Sequence, residues 1–236
     1  MSPPIMENAM NKRNYQKEMD GMIEQLTEEG RVPTLLLHSC CAPCSSYVLE
    51  YLTEYFEITD FFYNPNIFPP EEYELRLKEM ERLAGRTMQF KHPVKMLAGS
   101  YDPQVFFEMA KGMEQIPEGQ ERCFRCYRLR LEEAAKAAKE QGTDYFATTL
   151  TLSPLKNAEK INAIGEELAE KYGVAYLSSD FKKKNGYLRS IELSKEYDLY
   201  RQDYCGCIFS RKEAEERRRK REEGTTEKAE EGSAES

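Results

Sequence analysis

TLLLHSCCAPCSS, residues 34–46, decides how the rest of the chain is read. Its first six residues form a short apolar run, a buried strand by length and composition. Cys40 and Cys41 follow at the carboxyl end of that strand, and Cys44 lies three residues on. Pro43 then opens a helix expected to run to Tyr55, because proline is tolerated in a first helical turn. Strand, loop, helix is the repeating unit of an α/β fold, and in an open sheet of that kind ligands gather at the carboxyl ends of the strands.

The same alternation continues outward. ITDFFYNP (58–65) reads as a second strand, and EEYELRLKEMERLA (71–84) as a helix closed by Gly85. MQFKHPV (88–94) is a third strand candidate, PQVFFEMAKGM (103–113) a helix and QIPEGQ (115–120) a loop. CFRCYRLRLEEAAKAAKEQG (123–142) is dominated by strong helix formers and ends at Gly142. YFATTL (145–150) and VAYLSS (174–179) read as strands on either side of the helix NAEKINAIGEELAEKYG (157–173). Towards the amino end, Met19, Met22, Ile23 and Leu26 recur at helical spacing, which predicts a packing helix on the domain edge. The organisation expected is a helical extension over 1–30, one α/β domain over 31–210 with a mostly parallel sheet, and a charged helix to about Arg221 followed by a disordered tail within 211–236.

Composition narrows the function classes. With 40% hydrophobic residues and 11% aromatics the chain fills a core without disulfides. No apolar run is long enough to cross a bilayer, and the first residues lack the apolar stretch of a secretory signal, so a cytoplasmic location is the expectation. In the cytosol thiols stay reduced, and closely spaced cysteines there are more often metal ligands or transient catalytic pairs. The net charge of −8 argues against wholesale nucleic-acid binding. Local basic patches remain at FKKKNGYLR (181–189), RCYRLR (125–130) and RRRKR (217–221).

All seven cysteines fall in three motifs: Cys40, Cys41 and Cys44 in CCAPC, Cys123 and Cys126 in CFRC, Cys205 and Cys207 in CGC. Cys123 and Cys126, three apart at a helix start, put both sulfurs on one face, where the helix N-terminus favours thiolates. With Cys40 and Cys41 they make four thiolates, the number a 4Fe-4S cluster or a structural zinc takes. Spacing leaves both metals open. Cys205 and Cys207, separated by an unconstrained Gly206, suit either an easily reduced disulfide or a second metal. Cys44 reads as a substitute ligand or as a small buried residue, burial being favoured. TTLTLSPLKN (148–157) is open to two readings: a phosphate contact through Lys156 at a helix N-terminus, or a turn and N-cap at Ser153 and Pro154. FYNPNIFPP (62–70) either lines a pocket or is a rigid connection.

Taken together, LLLHSCCAPCSS (35–46), FYNPNIFPPEEYELR (62–76), ERCFRCYRLRLEEAA (121–135), TTLTLSPLKN and YRQDYCGCIFS (200–210) resemble the QueH-type epoxyqueuosine reductases. Five motifs in the same order make the resemblance specific. It implies a Rossmann-like fold of the nucleotide alpha-hydrolase kind, with an iron–sulfur site at the strand carboxyl ends. The implied reaction is reduction of epoxyqueuosine to queuosine at the wobble position of tRNA. Carried over by motif, Cys40, Cys41, Cys123 and Cys126 would ligate a 4Fe-4S cluster and Cys205 and Cys207 would be the redox-active pair. A further iron beside the cluster, served by the C-x-C thiols, belongs to the same expectation. Partners would be the tRNA and a low-potential electron donor of ferredoxin or flavodoxin type. By sequence proximity Asp203, Tyr204 and Tyr127 are the proton-donor candidates, and Lys182, Lys183 and Lys184 the phosphate contacts.

Two other classes compete. A zinc-stabilised RNA- or nucleotide-binding module would leave the C-x-C pair superfluous. An ATP-dependent tRNA sulfur-transfer enzyme on a similar fold needs a loop of the form S-G-G-x-D-S after its first strand, and HSCCAPCSS has no glycine there.

Overall fold

Leu35, Leu36 and Leu37 are each fully buried, and they point into two different cores. Successive side chains of a strand alternate between faces, so a strand covered on both sides is apolar without interruption. The strand is β1 (Thr34–Ser39). The computed structural model describes residues 13–86 and 90–234, with side chains to 221, so the expectation for 1–12 falls outside the described residues, while the stretch after Arg221, expected to be disordered, is helical to Ala234.

Around β1 stand β2 (Glu57–Phe62), β3 (Lys95–Ala98), β4 (Tyr145–Thr148) and β5 (Ala175–Tyr176). The sheet order is β3-β2-β1-β4-β5 and every pairing is parallel. Leu35 and Leu37 meet side chains of α1 (Tyr15–Glu28), α2 (Ala42–Leu52), α3 (Pro70–Ala84) and α7 (Gly186–Glu196). Leu36 meets α5 (Glu121–Gln141) and α6 (Ala158–Tyr172) on the other face. The shorter α4 (Pro103–Ala110) contributes Phe106 and Ala110 to a third small cluster, and α8 (Ile208–Ala234) ends the described chain.

The expected α/β class holds, with a sheet that is wholly rather than mostly parallel. Four details differ. The third strand is not over 88–94 but begins at Lys95, just after Pro93, whose missing N–H cannot join a ladder; residues 88 and 89 lie outside the described ones. Gly85 ends α3 in an ordinary right-handed conformation, φ −66°, whereas Gly142 ends α5 in the left-handed one at φ 65°. Helix α7 emerges from the stretch read as a basic patch. α8 begins at Ile208, so the division drawn between residues 210 and 211 falls inside its first turn.

Strand order reverses at β1: two strands lie on one side and two on the other. The crevice outside the carboxyl end of β1 is therefore where a ligand is expected, and Cys40 and Cys41 sit there. Leu36→Ala, which empties the space of a fully buried side chain on the central strand, is expected to cost about 2–5 kcal/mol in denaturant unfolding.

Candidate metal and redox site

Cys41 is the N-cap of α2, in extended conformation, and Cys44 lies in the helix's first turn. The turn folds the chain back so that the Sγ atoms of Cys40, Cys41 and Cys44 all lie within 4.8 Å of one another. Cys40 Sγ donates to Cys41 Sγ at 3.9 Å. Bonds from Cys40 and Cys44 and the charge of Arg76 hold the Cys41 thiol well below its usual value against the effect of burial, while Cys44 is pushed up by its two neighbours. Cys44 is thus part of the sulfur group and lines its cleft, in line with the substitute-ligand alternative rather than the favoured burial; only the fold of the turn reveals the contact.

Cys123 and Cys126 lie on the first turns of α5. Gly119 N–H donates to Cys123 Sγ at 3.2 Å. Burial pushes Cys123 up to about 11 and Cys126 up to about 12, outweighing the helix N-terminus that the spacing argument relied on. Cys126 packs with Cys207, Phe106 and Ala110. Cys205 lines the same cleft as Cys40, Cys41 and Cys44, so members of the first and third motifs meet at one opening of about 160 Å³. All seven cysteines are free thiols.

The C-x-C turn is held from below. Gly206 has φ +121°, open to glycine and rarely to other residues. A Cβ there would stand 3.0 Å from both Arg76 Nη1 and Ile67 Cγ1. Arg76 Nη1 donates to Cys205 O at 3.0 Å, and Phe68 N–H to Gly206 O at 3.0 Å. FYNPNIFPP therefore serves as a rigid connection under the C-x-C turn. On the far side, Ser210 N–H in the first turn of α8 donates to Cys207 Sγ at 3.4 Å.

His38 holds the end of β1. Its ring nitrogens bond Thr148 Oγ1 at 2.9 Å and Tyr63 O at 3.1 Å, and burial with Arg130 nearby pushes it down to about 3. With both nitrogens engaged it is a clip between strands. Asp60 accepts from Ser39 Oγ at 2.5 Å, and burial pushes it up to about 7.

Of the proton-donor candidates, Tyr204 lines the cleft; Asp203 does too, but is paired with Arg218 at 2.8 Å, and Tyr127 is buried in the core. Lys156 shares the cleft wall. Burial would lower it, but the thiols of Cys205, Cys40 and Cys44 hold it raised. The N-cap of α6 is Asn157 rather than Ser153, and Ser153, Pro154 and Leu155 line the cleft beside Lys156.

The donor set fits a thiolate-bound metal centre. The sulfurs of Cys40, Cys41 and Cys44 converge and Cys205 shares their cleft, whereas Cys123 and Cys126 lie outside that group and that lining, Cys126 packing with Cys207 instead; burial keeps several protonated until a metal displaces the proton, and buried arginines supply positive charge. Donor chemistry alone suits either zinc or iron–sulfur.

The family model described as epoxyqueuosine reductase QueH matches residues 35–213. A protein of that description from Staphylococcus epidermidis is 48% identical over 202 residues, covering 84% of this chain and 85% of the relative. One from Streptococcus pyogenes serotype M1 is 43% identical, covering 87% and 81%. One from Thermotoga maritima is 38% identical, covering 78% and 93%. A U34-tRNA thiolase from Methanococcus maripaludis, NcsA with its 4Fe-4S cluster, superposes with a TM-score of 0.46 at 12% identity over 82% of this chain and 67% of that one, a likeness too loose to argue from.

Gly206→Ala is expected to force the C-x-C turn off Arg76 and Ile67. Overpacking of this kind costs about 1–3 kcal/mol, to be read from thermal unfolding, and the backbone conformation adds to it.

Proposed function

Because the chain belongs to the epoxyqueuosine reductase QueH family, we propose that its three cysteine motifs act as one redox site on tRNA. The chain is an epoxyqueuosine reductase, an oxidoreductase acting on tRNA. The geometry that carries the site reading is the shared opening of Cys40, Cys41, Cys44 and Cys205 at the end of β1.

The reaction removes the epoxide oxygen at the wobble nucleoside and gives queuosine, the last step of that nucleoside's synthesis. An epoxide, two electrons and two protons yield an alkene and water. Cys40, Cys41, Cys123 and Cys126 are the ligands that the family pattern assigns to a 4Fe-4S cluster, and Cys44 stands close enough to Cys40 and Cys41 to compete for a place. Bound there, the cluster supplies electrons one at a time.

Cys205 and Cys207 would be the net source of both electrons, with the cluster passing them on singly. Oxidation of two thiols to a disulfide releases two electrons and two protons, which balances the epoxide reduction without another proton source. A low-potential donor of ferredoxin or flavodoxin type then restores the dithiol. The same pair suits a further iron. Lys156 and Tyr204 on the cleft wall are placed to hydrogen-bond the epoxide oxygen as it leaves.

The wobble base reaches such a cleft splayed out of its loop, and Tyr187 and Tyr204 offer aromatic faces there. A second cleft of about 650 Å³ adjoins the first through Pro154, Leu155 and Lys156, with Lys182 and Lys183 on its wall. Lys182 is paired with Asp180 at 2.6 Å and Lys184 with Asp20 at 2.7 Å, so Lys183 is the member of the run with no carboxylate partner among the described residues. No helix among those residues is long and apolar enough to cross a membrane, and reduced thiols suit a cytoplasmic enzyme.

Anaerobically purified protein is expected to carry about four irons and four sulfides per chain, with a reduced-cluster EPR signal. Zinc without sulfide would leave the binding-module reading instead. Cys205→Ser is expected to keep the iron and sulfide but lose turnover; full turnover in that variant removes the dithiol role. Lys183→Glu is expected to weaken tRNA binding and reduce the magnitude of the salt slope by about 1, and an unchanged binding curve removes the lysine run from the interface.

A further inference from the structure

Three of the largest fully buried side chains are arginines: Arg76, Arg122 and Arg130. Arg122 is well supplied, with loop carbonyls of Met113, Glu114 and Ile116 and the carboxylate of Glu213. Arg76 has Glu72 at 2.7 Å. Arg130 has no such partner. Its Nε donates to Cys126 O at 3.3 Å and its Nη1 to Asn64 Oδ1 at 3.4 Å, both neutral. Its Nη2 is buried with no partner among the described residues. Arg130 is 0% exposed.

A guanidinium does not shed its proton, and a buried one without an anion is costly. The groups around Arg130 that become anions are thiols. Its Nε bond to the Cys126 carbonyl sets it against the second motif, and Cys205 and Cys40 of the other two also bear on its charge. The burial, the free Nη2 and the absence of a carboxylate partner among the described residues have one explanation in common: the negative partner arrives with the metal.

We propose that Arg130 is a buried counter-charge of the thiolate centre, a cation that makes the loaded centre easier to reduce. The inference rests on the reading of the thiols as a metal centre. Reduction adds one negative charge to the centre, and a fixed positive neighbour in a low-dielectric interior favours the reduced form. Arg130 acts here through the ligands and is a positioning residue.

The test compares the parent protein with Arg130→Met and Arg130→Lys, each metal-free and after anaerobic reconstitution with iron and sulfide. Metal-free Arg130→Met is expected to melt at or above the parent, because its uncompensated charge is gone. On loading it should gain less thermal stability than the parent, and its reduction potential should be more negative. Arg130→Lys, which keeps the charge but loses the fork, should fall nearer the parent in both. Uptake of metal by Arg130→Lys with none by Arg130→Met gives the same support. A parental potential and a parental gain on loading in Arg130→Met overturn the inference. So does an equal loss of stability in the metal-free and loaded forms of both variants, which would mark a role in shape alone. A parent that takes up no iron and sulfide overturns the metal reading itself, and this inference with it; none of these readouts uses the nucleoside substrate.

Discussion

The site depends on where β1 stops. The strand is buried on both faces, so its position and register are fixed by the leucines at 35, 36 and 37, and everything beyond Ser39 inherits that placement. His38, bonded to β4 through Thr148 and to Tyr63 just past β2, clamps the three strand ends together. Cys40 and Cys41 thus project from a strand end buried on both faces and bonded to its neighbours into the crevice made by the reversal of strand order. A metal site needs that kind of preorganisation, because ligands held loosely lose affinity and geometry together.

The three motifs meet through different kinds of support. The first rides on the strand end and the α2 N-terminus, the second on α5, the longest helix described with its side chains throughout, and the third on a loop. The loop has no regular hydrogen bonding of its own. It is held by Arg76 at Cys205 O, by Phe68 at Gly206 O and by the α8 first turn at Cys207 Sγ. Thiols proposed to make and break a bond sit on the least regular element, and those proposed to hold metal sit on the most regular.

The strand–helix alternation, the central strand and α5 were legible because apolar runs and helix formers report burial directly, and the cysteine motifs were legible because their spacing is rare by chance. Three things were not. Helix α7 was hidden by the lysine run at its start, which read as a basic patch, and by an outward-facing Leu188. Cys44 was weighed towards burial because adjacency in space depended on how the chain turns after Cys41. RCYRLR was read as a surface patch, yet it divides: Arg125 and Arg128 are exposed and paired with Glu121 and Glu167, whereas Arg130 is in the interior. Helical spacing tells which residues share a face, but an arginine on the apolar face is discounted until the fold shows what lies opposite.

The motifs also lie far apart along the chain, at 40–44, 123–126 and 205–207. A polypeptide emerging from the ribosome presents the first sulfurs long before the last ones exist. The strand order compounds this: β1 acquires β2 early but waits for β4 and the segment after α7 before the crevice has its second wall. Loading of the proposed centre would therefore be an event of the nearly finished chain, and until then the early thiols would stand exposed to oxidation. The cell must keep those thiols reduced through synthesis, or deliver the metal at its end.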